Sequence, residues 1–278
     1  MRTKFSDLIS GATCRGLAHK KNGEPNQDHL LIKAGKKLKL ICVADGVGSH
    51  KYSHKGSKQI CRSVYKTLIA LRDGNIREEE FPEHINKLFS KKLLGKYKNK
   101  TATTCIFAAI LGDKLYVAQA GDGVCGIIFD GKFKTLGYRR SGFLNEVYPI
   151  KADSDNVGKW NFRIIELEKY RNLDIFLGTD GVSDDIIPEK LGDFVRYVFA
   201  GVELLKPRQR KAYIKKMLKE WSVPFSNDDK TIAILRWNSI ERLREEVSEN
   251  ASVDEANRIS DEHSCKNPVE NAIERSDE

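Results

Sequence analysis

The chain has 278 residues, 40% of them hydrophobic, with 48 Lys and Arg against 39 Asp and Glu for a net charge of +9. That length allows one large domain or two modest ones with a sizeable core, and only 7 Pro and 21 Gly exclude the Pro/Gly-rich classes. No apolar run reaches the roughly 18 residues that a membrane-spanning helix needs.

"HLLIKA" and "LKLICVA" predict two strands, over 28–34 and 38–44, joined by a lysine-bearing turn. Ile60, Val64, Leu68 and Leu71 fall at helical spacing and predict a helix over 57–72. Pro82 suits the first turn of a second helix, which carries Ile85, Leu88, Phe89 and Leu93. "TTCIFAAIL" and "KLYVAQA" are separated by Gly112-Asp113, a two-residue hairpin signal. "VCGIIFD" and "KFKTLG" follow with a tight turn at Asp130-Gly131. Residues 137–159 are polar and predict a long loop, of the kind that is commonly functional or mobile. "NFRIIEL" and "LDIFLG" predict a further hairpin. Helices are expected over 184–199 and 207–221, and "KTIAILRW" gives a last strand.

After Trp237 the composition changes. Residues 241–278 hold twelve acidic and five basic side chains, few large apolar residues and almost no aromatics. Such a segment buries too little surface to offset its ordering entropy. A folded domain over 1–240 and an acidic, disordered tail over 241–278 are therefore expected, with a short helix near 239–249 as an option. The residues before the tail carry about +16. That charge fits nucleic acid, an anionic surface, phosphorylated substrates, or simply a solvated lysine-rich surface. Aromatic and basic residues do not interleave as in single-strand binders, so nucleic acid is disfavoured.

The six cysteines show no CxxC spacing, and Cys42, Cys61 and Cys105 sit inside apolar runs, where a thiol acts as a small hydrophobe. With no apolar stretch in "MRTKFSDLISG", this predicts a reduced, cytoplasmic compartment. His50 and His54 are four apart but lack the glutamate of HExxH, and no phosphate-binding GxxxxGK[ST] loop exists.

The chemistry gathers at strand ends. Apolar runs stop on Asp45-Gly46, Asp122-Gly123 and Asp180-Gly181; Asp28 opens the first strand and Asp228-Asp229 precede the last. One Asp-Gly is a turn. Several carboxylates brought to one place repel by roughly 4 kcal/mol per pair at about 4 Å and an effective dielectric near 20. Such a cluster wants a cation, and oxygen donors without Cys or His suit Mg²⁺ or Mn²⁺.

The ordered set Asn26-Gln27-Asp28, Ala44-Asp45-Gly46-Val47-Gly48, Thr103-Thr104, Gly121-Asp122-Gly123, Thr179-Asp180-Gly181-Val182 and Asp228-Asp229-Lys230-Thr231 resembles the metal-dependent protein phosphatases of type 2C, in a bacterial-like form. The resemblance runs from about residue 11 to 237. It implies an α+β fold, a central β-sandwich of two antiparallel sheets flanked by helices. It implies that Asp45 bridges two Mn²⁺ or Mg²⁺ ions, with the Gly46 carbonyl on one and Asp180 and Asp228 on the other. Asp122 matches a position for a third, weaker ion, and Asp28 would orient metal-bound water. The implied reaction is attack of a metal-bridging hydroxide on phosphoserine or phosphothreonine, with no phosphoenzyme. Partners would be phosphoproteins and a cognate Ser/Thr kinase system, with no nucleic acid or membrane, and the chain would act as a monomer. The chain departs from the pattern in three places. Arg15 is too early to be the usual phosphate-gripping Arg, which leaves His19 as its candidate replacement; Gln27 stands for the usual Glu; Val47 stands for the usual His. Asn145 in the long loop is a second candidate for substrate contact. A catalytically silent phosphoprotein-binding module is the alternative reading.

Overall fold

The computed structural model describes residues 8–93, 95–136, 149–151, 160–224 and 226–239. In chain order the elements are β1 (Ile9–Cys14), α1 (Leu17–Lys21), β2 (His29–Ala34), β3 (Leu38–Ala44), α2 (Ser53–Arg72), α3 (Phe81–Lys92), β4 (Ala102–Thr103), β5 (Cys105–Leu111), β6 (Lys114–Ala120), β7 (Val124–Phe129), β8 (Lys132–Thr135), β9 (Ile150–Lys151), β10 (Asn161–Glu166), β11 (Asn172–Gly178), α4 (Asp180–Ser183), α5 (Leu191–Val202), α6 (Pro207–Lys219) and β12 (Lys230–Asn238). One compact unit ends at Trp237. The acidic tail and Asn145 lie outside the described residues.

Two five-stranded antiparallel sheets carry the fold, in the orders β1-β12-β11-β7-β8 and β10-β6-β5-β3-β2. Alternation along each strand explains the layers, because successive side chains point to opposite faces. In β3, Ile41 and Val43 point between the sheets and meet Ile106, Ile127, Ile175, Leu177, Ala233 and Leu235. Leu40, Cys42 and Ala44 point the other way, onto Ile60, Val64 and Leu68 of α2 and Ile85 and Phe89 of α3. On the first sheet, Val124, Phe176, Ile232 and Ile234 face Val195, Phe199, Ile214 and Leu218 of α5 and α6. The result is the expected four-layer order of helices, sheet, sheet, helices.

Both predicted tight hairpins form. β5 pairs with β6, and β7 with β8 through Asp130 (φ 44°) and Gly131 (φ 86°). The predicted hairpin of β10 with β11 does not. β10 pairs with β6 in one sheet and β11 with β7 in the other, and a 3₁₀ turn at Leu167–Lys169 carries the chain across. The pattern of each segment is right for a strand, but alternation does not name a strand's partner. Helix α2 begins at Ser53, one turn before the expected start at 57, so His54 lies on it. The helix expected from 184 begins at Leu191, after the short turns at Asp180–Ser183 and Pro188–Lys190. β1, α1 and α4 have no counterpart among the expected elements, and β9 lies within the stretch expected to be a loop.

Candidate active site

Extending each interior row by two residues past the strand end reaches the site. The row of Leu30 and Ile32 in β2 extends back to Asp28; Ile41 and Val43 lead to Asp45, Ile175 and Leu177 to Thr179, and Ala233 back to Thr231 and Asp229. Polar groups thereby gather at one end of the sandwich, between the sheets.

Asp28 is buried, and its Oδ2 accepts from the Thr179 hydroxyl (2.9 Å) and the Thr231 hydroxyl (2.6 Å). Its Oδ1 is buried with no donor. Asp45 is fixed through its backbone: its N–H donates to Thr104 Oγ1 (3.1 Å), while its carbonyl accepts from the Thr103 hydroxyl (2.7 Å) and the Thr104 N–H (2.8 Å). That is the role of the Thr-Thr pair. Asp180 opens the turn α4 rather than ending a strand, and its Oδ1 accepts from the Gly181 N–H (2.8 Å). Asp122 sits between Gly121 (φ 90°) and Gly123 (φ 93°) in the turn from β6 to β7.

The glycines that follow Asp45 and Asp180 are explained by close approach, not by the turn first expected. A Cβ on Gly181 would stand 2.0 Å from the Asp229 carbonyl oxygen, and one on Gly46 2.6 Å from the Ser53 backbone. Neither residue has a positive φ.

The carboxylates perturb one another. Burial pushes Asp28 up to about 7, against the hydrogen bonds that favour its charged form. Burial, with the charges of Asp122, Asp228 and Asp28, pushes Asp180 up to about 7. Burial raises Asp45 well above the carboxylate range, and Asp28, Asp180 and Asp228 add repulsion. All five acids named from the sequence therefore meet in one electrostatic cluster.

Asp228 and Asp229 divide their work. Asp228 is exposed, and its Oδ1 accepts from the Asp229 N–H (2.7 Å). Asp229 is buried, and its two oxygens accept from the Gly16 N–H (2.7 Å) and the Gln27 N–H (2.6 Å). It ties the segment before β2 to the start of β12, so its proximity to His19 and Asp228 does not make these three a metal site. Asp229→Ala orphans two buried N–H groups at about 1–3 kcal/mol each. Its melting temperature is expected to fall by several degrees, and an unchanged melting curve would contradict the tie.

His19 is placed differently from the expectation. Its Nδ1 lies 2.9 Å from Asp229 Oδ2 and its Nε2 3.1 Å from Gln27 Nε2. Nδ1 faces that carboxylate at salt-bridge distance, and in the neutral ring Nε2 accepts from the Gln27 amide. With both nitrogens turned to protein groups, His19 holds Gln27 and Asp229 rather than gripping phosphate. Burial would lower its pKa, but the Asp229 hydrogen bond and the charges of Asp229, Asp228 and Glu24 hold it above its ordinary value. Gln27 is the hub of this corner: its Oε1 accepts from Ser53 Oγ (2.6 Å), and its carbonyl from Ser57 Oγ (2.6 Å) and the Gly46 N–H (3.2 Å). Sequence reasoning assigned no role to Gln27, Ser53, Ser57, Thr179, Thr231 or Asp229. The available signal was strand parity, which puts Thr179, Thr231 and Asp229 on the same interior rows as Asp28 and Asp45.

The donor set fits hard divalent cations. It offers only oxygen, it holds its acids in a state that favours protonation, and it leaves Asp28 Oδ1 without a partner.

Two antiparallel sheets between helical layers, with an acid cluster at one end, define the metal-dependent protein phosphatase class of fold. The chain belongs to the protein phosphatase 2C family, whose sequence pattern matches residues 15–220. It is thereby a phosphoprotein phosphatase, a hydrolase in a family that is metal-dependent in general. The Asp228 motif lies beyond the matched residues, and the fold brings it to the cluster. Among solved structures, the chain is similar to the serine/threonine phosphatase Stp1 from Staphylococcus aureus (15% identity, TM-score 0.61, covering 86% of this chain and 98% of that one). It is also similar to the serine/threonine phosphatase PstP/Ppp of Mycobacterium tuberculosis (13%, 0.57, 81% and 96%) and to a C. elegans sex determining protein (16%, 0.59, 83% and 65%). At such identities these likenesses bear on the fold alone. No curated protein matches.

Proposed function

We propose that this chain is an active, metal-dependent protein serine/threonine phosphatase whose cations, Mn²⁺ or Mg²⁺, are held by Asp45, Asp180 and Asp228, with the Gly46 carbonyl and Asp122 contributing. The observation that carries this reading is the convergence of Asp28, Asp45, Asp122, Asp180 and Asp228, which raises the pKa values of three of them. Phosphate monoesters hydrolyse so slowly unaided that accelerations up to about 10²¹ are known for the class. Bound cations supply a potent nucleophile from water at neutral pH and neutralise charge on the phosphoryl oxygens. The protein's own part is to fix those groups. The Thr103-Thr104 pair sets the Asp45 backbone, α4 presents Asp180, and Asp229 anchors the segment that carries Asp228. Asp28, held by two threonine hydroxyls, keeps one oxygen turned into the cluster to orient the attacking water and take its proton. No Cys or His nucleophile is needed, so no phosphoenzyme forms.

The folded unit is assigned to 1–240 and the acidic tail to 241–278. Substrates are phosphoproteins made by a Ser/Thr kinase, met as a monomer in the cytoplasm. Chelation tests the central point. Removing divalent cations is expected to stop hydrolysis of a phosphothreonine peptide and Mn²⁺ to restore it. Turnover that survives chelation would refute metal dependence, and tight peptide binding without turnover in saturating Mn²⁺ would favour the silent binding module.

A further inference from the structure

The helical layer over the first sheet leaves an apolar groove open. Its floor is Phe194 of α5 and Trp221, whose rings meet edge to face at 5.8 Å. Ile187 and Tyr197 stand on its rim, 65% and 60% exposed, with Val223 opposite. The volume is about 590 Å³, within the roughly 300–1,000 Å³ of ligand-binding clefts. Among the charged lining residues Lys190 lies 3.8 Å from Asp193, and Glu220 lies 3.9 Å from Lys216 outside the groove; with Asp185 the lining is acidic. Large apolar side chains held open in this way mark a contact surface.

The groove is built from the two segments that carry the catalytic acids. Asp185, on its wall, follows Asp180 across the turn α4, and Val223 precedes Asp228 by five residues. Asp185 Oδ2 accepts from Trp221 Nε1 (2.7 Å) and from Ser226 Oγ, locking the segments together. At about 1.5 Å rise per helical residue, the inner wall lies within roughly 10 Å of Asp180. That is the span of about three residues of extended peptide.

We propose that this groove is a specificity subsite of the phosphatase, seating an apolar side chain of the phosphoprotein two to four residues from the phosphoresidue. The proposal rests on the phosphatase reading above. The groove flanks the segments that carry Asp180 and Asp228, within reach of an extended peptide that delivers its phosphate to the aspartates. Its aromatic floor and acidic lining select an apolar residue over an acidic one.

The test uses the full chain with Mn²⁺ and phosphothreonine peptides in an alanine background, with one leucine or tryptophan moved through positions −4 to +4. Wild type is compared with Ile187→Ser and Tyr197→Ser, whose side chains are exposed, and p-nitrophenyl phosphate is the small substrate. One placement is expected to raise kcat/KM about tenfold or more, as apolar pocket contacts do. Both variants should lose that gain while hydrolysing p-nitrophenyl phosphate as wild type does. A flat scan, or a gain that survives both substitutions, overturns the proposal. So does a dimer that Tyr197→Ser dissociates, which would give the groove to a second copy. If wild type turns over neither substrate, the phosphatase reading fails, and the peptides' dissociation constants then decide the groove on the same criteria.

Discussion

Asp45→Asn is expected to lower metal-dependent phosphopeptide turnover by about a thousandfold or more while raising the melting temperature of the metal-free protein. Metal ions stabilise phosphoryl charge by several kcal/mol, and each 1.36 kcal/mol is a decade of rate. Burial raises the Asp45 carboxyl, and Asp28, Asp180 and Asp228 oppose its charge further. Replacing it with a neutral group of similar shape removes repulsion that a cation or a bound proton otherwise relieves. Loss of activity with gain of metal-free stability separates a binding role from a packing role. A variant that loses both would make Asp45 structural.

The second large effect is metal-induced stabilisation. A cation that binds only the folded chain stabilises it by about 2.7 kcal/mol at a hundredfold excess over Kd. For a domain of this size that is roughly 5–10 °C. The shift should shrink as pH falls, and the sign follows from the acids. Burial raises Asp28 and Asp180 to about 7, so the folded metal-free chain binds protons that the unfolded chain has already released. Those groups therefore cost the metal-free protein stability as pH rises from about 4 toward 7. Cations compete with the same protons, so binding releases protons and weakens below about pH 7. Melting curves with and without Mn²⁺ at pH 6 and pH 8 read this directly. An equal shift at both pH values would place the cation elsewhere.

Much of the site was legible because a strand's parity and its last residue are local properties. An apolar run that stops on Asp45 or starts after Asp28 announces its row in the sandwich, and the structure brings those rows together. Pairing was not legible in the same way. β10 and β11 look like neighbours along the chain, yet Leu167–Lys169 sends them to different sheets. The surroundings of His19 were hidden for a related reason. Spacing put a cationic side chain near the acids, but only the fold shows Asp229, about two hundred residues away, capturing it. Asp229 stands next to Asp228 in the sequence with no role of its own. Two oxygens spent on backbone N–H groups distinguish it, and that distinction exists only in three dimensions.

The central claim is that these aspartates form a divalent-cation centre that hydrolyses phosphoserine and phosphothreonine. Its most direct test is hydrolysis of a phosphothreonine peptide with and without Mn²⁺, comparing wild type with Asp180→Asn. Wild type is expected to show metal-dependent turnover, and the variant to lose it while remaining folded. Equal turnover in both proteins, or turnover indifferent to Mn²⁺, would contradict it.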